Sequence, residues 1–206
     1  MTPYSDDAEN DSDDWEENGC KFLRNDMKPI RVFIDMDGVL VDLDRQYELI
    51  TGMHPEFVQA QNDKRLRSTN WKKFVECKGF FHASPLPGFR ELVNVLRLAK
   101  ESGLIDDVQI CTSAGGIKED YEEVFRQKVD WLDLHSLLWM KYNIVPSGGA
   151  KKNVIDNRYH DILIDDTEYV LEKFIQAGGH GILHKGDVNQ TIKKLNEYIE
   201  TLKKED

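Results

Sequence analysis

The sequence of 206 residues lacks several features that would place it in whole classes of protein. No apolar run approaches the roughly 18 residues needed to cross a membrane. The N-terminus has neither a basic start nor an apolar stretch, so no secretory signal is predicted. The three cysteines, Cys20, Cys77 and Cys111, are odd in number and form no C-x-x-C pair. We therefore predict neither a disulfide framework nor a zinc site, and a cytoplasmic location.

Basic residues are outnumbered by acidic ones, 27 to 38. Of the net charge of −11, residues 1–20 contribute eight acids and no Lys or Arg, which leaves −3 for the remainder. Because no basic stripe is present, polymeric nucleic acid is not a predicted partner. We interpret residues 1–28 as an acidic, disordered tail with little apolar surface to bury. A solvated terminus is the favoured interpretation of this tail, and a docking segment is the alternative.

The sequence does contain short apolar runs that alternate with amphipathic helical segments. Three of the predicted strands are Ile30–Asp35, Val108–Cys111 and Ile162–Ile164. This alternation predicts an α/β fold with a doubly wound parallel sheet. Residues 43–84 interrupt the alternation after the first strand with helical segments, of which the third is predicted at Asn70–Lys78. They predict a small helical cap, with the α/β core formed by residues 29–42 and 85–206.

Acidic side chains follow two of these strands, at the edge where parallel sheets bind ligands. Asp35 and Asp37 follow the first strand, and Gly38 allows the backbone to turn sharply. Two carboxylates this close repel each other unless a cation neutralises them, and Mg²⁺ binds carboxylates together with phosphate oxygens. Alone, this pattern fits an acidic turn as well as a catalytic loop. A second pair of acids, Asp165-Asp166, follows the predicted strand Ile162–Ile164, and this second pair favours a metal site over an acidic turn.

Polar residues elsewhere on the same predicted edge suit a phosphate group. Thr112 and Ser113 follow another strand and offer hydroxyl and N–H groups to phosphate oxygens, although a helix-capping loop is the alternative. Lys151 and Lys152 lie just upstream of the second acidic strand. Either lysine could balance the charge of phosphate and carboxylates, or both could form a solvated surface pair.

The order of these elements resembles the haloacid-dehalogenase-like superfamily of phosphohydrolases, over about residues 29–200. Asp35-Met36-Asp37-Gly38-Val39 matches the first motif of that superfamily, and Thr112 matches the second. A lysine at 151 or 152 matches the third motif, and Asp165-Asp166 matches the fourth. The resemblance implies a Rossmann-like core and phosphatase chemistry that depends on Mg²⁺.

A narrower resemblance is to the 5′(3′)-deoxyribonucleotidase family, which removes phosphate from deoxynucleoside monophosphates. It is carried by Asp35–Asp42, Gly79-Phe80-Phe81 with Pro85–Gly88, Ile110–Ser113, Lys128 with Trp131-Leu132, and Leu163–Asp166. The chain departs from that family at Ala114, where Pro is usual, and at Thr167, where a basic residue is usual. The spacing from the lysine to Asp165 is also longer than usual, so we favour Lys152, the nearer of the two.

The resemblance implies a role for each matched residue. Asp35 would attack phosphorus and Asp37 would act as acid and base. The remaining implied groups are a phosphate site of Thr112, Ser113 and Lys152, a metal site of Asp35, Asp37, Asp165 and Asp166, and a substrate pocket that includes Leu43, Trp71 and Phe81.

The expected substrate is a small phosphate monoester, in the first place a (deoxy)nucleoside 5′-monophosphate. One alternative is another small ester such as a sugar phosphate, and a second is a non-catalytic binding protein on the same fold. The sequence leaves an oligomer open.

Overall fold

The computed structural model describes residues 28–205, so the predicted acidic tail lies outside the described residues except at position 28. At its centre is a five-stranded sheet whose neighbouring strands are all parallel. In chain order the strands are β1 (Ile30–Ile34), β2 (Asp107–Ser113), β3 (Lys141–Val145), β4 (His160–Asp165) and β5 (His180–Leu183). In space their order is β3-β2-β1-β4-β5. The predicted parallel α/β sheet is confirmed.

Helices connect the strands and cover both faces of the sheet. The α-helices of the described residues are α1 (Leu43–Thr51), α2 (Pro55–Ala60), α3 (Lys64–Glu76), α4 (Gly79–His82), α5 (Phe89–Glu101), α6 (Tyr121–Leu134), α7 (Glu168–Gln176) and α8 (Val188–Glu205). Two 3₁₀ helices span Lys118–Asp120 and Gly148–Val154. None of the helices in residues 28–205 is long and apolar enough to span a membrane.

The side chains of β1 alternate between the two faces of the sheet, as the pleat requires. Val32 and Ile34 belong to a buried cluster with apolar residues of α5 and α8. Phe33 points the other way and packs with Leu163 and with residues of α7, including Phe174. Because both faces are covered, the central strands are apolar along almost their whole length, which is typical of a parallel sheet.

Helices α1 to α4 form the insertion between β1 and α5, and the structure shows how they are attached to the sheet. Phe74 and Phe80 are buried in a cluster with Ala114 after β2 and Val124 on α6. Gln127 on α6 strengthens this contact, because its amide accepts from the N–H of Phe80 at 3.2 Å and donates to the carbonyl of Val75. The insertion is therefore packed firmly on α6 and on the end of β2.

Two boundaries differ from the sequence prediction. The third helix starts at Lys64 and not near Asn70, because the Asp63 carboxylate accepts the N–H groups of Arg65 and Leu66 and caps a longer helix. Strand β2 continues to Ser113, since its last residues pair with Ile144 and Val145 of β3. Thr112 and Ser113 are therefore the last residues of a strand and not part of the loop that follows it.

Candidate active site

The carboxyl ends of β1, β2 and β4 bring the sequence-predicted side chains together. Because Ile34 is in register with Ile164, Asp35 lies level with Asp165 at the end of β4. A cavity of about 510 Å³ opens at this edge. Its lining residues include Asp35, Asp37, Ser113, Lys151, Asp165 and Asp166.

Three carboxylates and one ammonium form the floor of this cavity. Asp35, Asp165 and Asp166 each present an oxygen within 4.8 Å of the others. The buried Nζ of Lys151 lies 2.8 Å from Asp35 Oδ2 and 2.7 Å from Asp165 Oδ2. Burial alone would lower the pKa of Lys151, but the two carboxylates outweigh it and the pKa is raised. Lys151 is therefore a fixed positive charge between two acids.

The preference for Lys152 over Lys151 is corrected by the structure. Lys151 is 2% exposed and lines the cavity, whereas its neighbour Lys152 is exposed. Both residues lie in the 3₁₀ helix Gly148–Val154, where successive side chains point in different directions. Distance along the chain to Asp165 could not distinguish them, because the direction of the side chain decides which lysine reaches the acids.

Asp35, Asp165 and Asp166, called the acid group below, have the properties of a site for a hard divalent cation. Burial, and next the charge of Asp35, raise the pKa of Asp165 to about 6, and the same two causes raise the pKa of Asp166. Like charges held this close in a cavity favour any cation that can neutralise them. The donors are oxygens only, which suits Mg²⁺ or Ca²⁺.

Asp37 lies in a different environment from Asp35. Its Oδ2 accepts from Lys128 Nζ at 2.5 Å, and Lys128 Nζ also donates to Thr112 Oγ1 at 2.8 Å. Among the described residues, its Oδ1 is the buried side-chain oxygen that lacks a hydrogen-bond partner. Burial raises the pKa of Asp37 even though Lys128 opposes the shift. This carboxyl group therefore has one oxygen without a hydrogen-bond partner and an increased tendency to hold a proton.

Sequence reasoning gave Lys128 no role, although it noted the residue as part of a family-like segment. The ammonium is fully buried on the inner face of α6, one helical turn from the core residues Val124 and Trp131. A lysine within the apolar stripe of an amphipathic helix is unusual, and this was the signal available in the sequence. Thr112 itself is fully buried, with its hydroxyl bonded to Lys128, and Ser113 is the residue of this pair that lines the cavity.

The loop after β1 approaches Asp166 so closely that only glycine fits. A Cβ atom on Gly38 would lie 2.1 Å from Asp166 Oδ2, and the φ angle of +74° also favours glycine. Lys185, from the loop after β5, lines the cavity and donates to the carbonyl of Asp166 at 3.2 Å. It brings a second cation to the cavity, whereas the hydroxyl of Thr167 donates to Asp166 Oδ1.

A second cavity of about 860 Å³ lies beside the first, between α1, α2, α3 and the loop after β2. Leu43 lines both cavities, and Trp71 lines the second. The indole of Trp71 is held by a 2.8 Å hydrogen bond from its Nε1 to Asp120. The structure does not bring Phe81 to either cavity, because Phe80 occupies the core and the following ring packs on His82. Phe81 is therefore a correction to the predicted pocket.

Comparisons with known proteins agree with this fold. A haloacid-dehalogenase-like family hydrolase from Xanthomonas campestris matches with a TM-score of 0.53 and 13% identity, over 89% of this chain and 97% of that chain. A hydrolase from Streptococcus pneumoniae TIGR4 has 14% identity and a TM-score of 0.46, over 83% and 100%. At 13% identity, the likeness to the Xanthomonas campestris protein shows the fold alone. No curated protein matches the sequence significantly.

The parallel sheet with its acidic edge has the fold of a haloacid-dehalogenase-like hydrolase. The chain belongs to the family described as 5′ nucleotidase, deoxy (pyrimidine), cytosolic type C, which it matches over residues 28–200. It is accordingly a phosphoric monoester hydrolase of the 5′-nucleotidase type.

Proposed function

We propose that this protein hydrolyses (deoxy)nucleoside 5′-monophosphates through an aspartyl-phosphate on Asp35, with Mg²⁺ as cofactor. The observation that carries the proposal is the contrast between two neighbouring carboxyl groups. Asp35 is held by Lys151 and by the N–H of Met36, whereas Asp37 has a raised pKa and an unpaired oxygen. Two titratable groups with such different environments suit a nucleophile and an acid–base pair.

In the proposed reaction a carboxylate oxygen of Asp35 attacks phosphorus, and the bond from phosphorus to the sugar oxygen breaks. Asp37 gives its proton to that oxygen as the nucleoside leaves. The Asp37 carboxylate then takes a proton from water, whose oxygen attacks phosphorus and releases inorganic phosphate from Asp35. Lys151 and Ser113 line the cavity where the phosphoryl oxygens would lie, and Lys128 keeps Asp37 in place.

The acid group supports the metal part of the proposal. Asp35, with Asp165 or Asp166, would hold Mg²⁺ through carboxylate oxygens, and Asp37 would contribute its main-chain carbonyl. When bound, the ion would screen the repulsion between carboxylate and phosphate. We also propose that the helical insertion over residues 43–84 caps the site, with Leu43 and Trp71 against the leaving nucleoside. The family description supports the cytosol as the compartment.

A panel of phosphate esters tests the substrate class. With Mg²⁺ present, we expect deoxynucleoside 5′-monophosphates to have a higher kcat/KM than sugar phosphates, and EDTA to abolish phosphate release. A panel in which sugar phosphates are hydrolysed faster than every nucleotide would refute the nucleotidase proposal. Activity that is unchanged by EDTA would refute the metal requirement.

Metal binding should weaken in acid. Since the pKa of Asp165 is about 6 and that of Asp166 is raised, protons compete with Mg²⁺ below that pH. We expect the apparent dissociation constant for Mg²⁺, measured by calorimetry, to rise about tenfold per pH unit there for each proton displaced. A dissociation constant that does not change between pH about 7 and about 5 would contradict this assignment.

The same pKa shift predicts how stability changes with pH. A carboxyl group whose pKa rises from 3.8 to about 6 on folding binds its proton more tightly when folded. Without metal, its contribution to the free energy of unfolding therefore falls as pH rises through this window. Mg²⁺ should accordingly raise Tm more at pH about 7 than at pH about 5, which thermal unfolding can measure.

The position of Trp71 can be tested with two neighbouring glycines. A Cβ atom on Gly115 would lie 2.2 Å from Trp71 Cη2, so Gly115→Ala should displace the indole. We expect KM for a deoxynucleoside monophosphate to rise about tenfold, as for the loss of one base–aromatic contact. Gly116→Ala is the matched control, because its φ of +79° is similar but the nearest atom, Pro146 O, is 3.9 Å from the added Cβ. Equal KM values in the two variants would remove Trp71 from the substrate pocket.

A further inference from the structure

One face of α3 lines the second cavity with an ordered set of side chains. Lys64, Arg67, Ser68 and Trp71 are the α3 residues at the cavity. Their spacing of three or four residues places them on a single face of the helix. Arg65, Lys72 and Lys73 are exposed on other faces. The cavity therefore contacts an aromatic ring at one end of this face and two cations at the other.

Of these side chains, Trp71 lies nearest to the edge of the sheet that carries Asp35 and Ser113, and the two cations lie further away. The ring of Trp71 is in contact with Gly115, two residues beyond Ser113. Arg67 and Lys64 lie one and two turns further along α3, or about 6 and about 10 Å along the helix axis. The two cavities adjoin each other, since Leu43 and Asp44 line both. A ligand with its 5′-phosphate at Ser113 and its nucleoside against Trp71 would direct a 3′-phosphate on its sugar toward Arg67.

The cations at that end of the cavity have no carboxylate partner. Among the described residues, Lys64 and Arg67 form no ion pair, and the side-chain bond of Arg67 is a 3.5 Å contact to Asn62 Oδ1. Of the described residues that line the second cavity, Asp44 at its junction with the first is the one acid. An uncharged nucleoside would leave both cations without a counter-charge, whereas a guanidinium fork matches phosphate oxygens.

We propose that the second cavity binds a second phosphate group, carried by the leaving nucleoside. The preferred substrate would then be a nucleoside bisphosphate, with one phosphate hydrolysed at Asp35 and the other held by Arg67 and Lys64. This inference rests on the proposed function and adds a specificity site to it. No bond of the second phosphate breaks, so the products are inorganic phosphate and a nucleoside monophosphate.

The test compares kcat/KM for a deoxynucleoside 3′,5′-bisphosphate and for the corresponding 5′-monophosphate. The wild-type protein should prefer the bisphosphate by about tenfold, which corresponds to one charged contact. In Arg67→Gln the ratio of the two kcat/KM values should fall about tenfold, mainly through KM for the bisphosphate. Arg65→Gln is the matched control, since Arg65 is exposed on the same helix and lines neither cavity. This variant should keep the wild-type ratio.

A dinucleotide with a 5′-phosphate distinguishes two sources of the second charge. A higher kcat/KM for the bisphosphate than for the dinucleotide indicates a site for a terminal phosphate. The reverse order indicates a site for a bridging phosphate. Either preference supports the proposal if Arg67→Gln abolishes it. A ratio that is the same in the wild type and Arg67→Gln overturns it while monophosphate hydrolysis persists. If sugar phosphates are hydrolysed and no nucleotide is, the proposed function fails, and this inference fails with it.

Discussion

Asp35→Asn is expected to lose hydrolysis of deoxynucleoside 5′-monophosphates by about four orders of magnitude in kcat, as for the loss of a nucleophile. The amide has nearly the shape of the carboxylate but cannot attack phosphorus. Asp35 lies just past β1, and its Oδ1 accepts from the N–H of Met36 at 2.7 Å, a bond that the amide oxygen can still accept. We therefore expect little change of backbone structure, and the loss should be in kcat.

Unfolding measurements separate this loss from misfolding. Asp35→Asn removes one of three neighbouring carboxylates and also one of the two partners of Lys151, which keeps Asp165, so without metal its Tm should stay close to that of the wild type. Asp130→Asn, at an exposed position of α6, is the control for an acid-to-amide change and should keep full activity. Phosphate release by Asp35→Asn at more than a tenth of the wild-type rate would rule out Asp35 as the nucleophile.

Lys151→Met is expected to reduce both activity and stability. Lys151 is 2% exposed and its ammonium lies between Asp35 and Asp165, so its removal leaves these buried carboxylates without a counter-charge. Breaking a buried ion pair in this way costs about 3–5 kcal/mol of the free energy of unfolding. Loss of one charge that stabilises the transferred phosphoryl group lowers kcat by about 10²–10³.

The adjacent residue supplies the control for this prediction. Lys152 is exposed, so Lys152→Met should change the free energy of unfolding by less than about 0.5 kcal/mol. Urea unfolding with and without Mg²⁺ measures both variants. The ion should restore part of the stability of Lys151→Met, because it neutralises the same acids. A larger loss in Lys152→Met than in Lys151→Met would contradict the position of the lysine in the site.

The fold was predictable because its signals are local. Apolar runs such as that of β1 and the acids that follow them are contiguous in sequence, and a parallel sheet brings strand ends to one edge. From this rule alone Asp35, Asp165 and Ser113 could be placed together. The rule depends on strand ends, so it gave no information about residues that reach the site from helices.

The residues that sequence reasoning missed or misplaced depend on side-chain direction. Lys151 and Lys152 are adjacent residues of the same type, and they differ only in the direction in which the 3₁₀ helix points their side chains. Lys128 reaches Asp37 from the middle of α6, 91 residues along the chain, which no spacing rule relates to the first motif. Phe80 and Phe81 likewise differ only in which ring the insertion buries. Tertiary packing decides all three cases.

The steric course at phosphorus tests the central claim of covalent transfer through Asp35 most directly. A deoxynucleoside 5′-phosphorothioate made chiral with oxygen isotopes would be hydrolysed with Mg²⁺ present, and the configuration of the released thiophosphate determined. Attack by Asp35 and then by water gives two in-line displacements, so we predict overall retention of configuration. Inversion would show a single direct attack by water and would contradict an aspartyl-phosphate on Asp35.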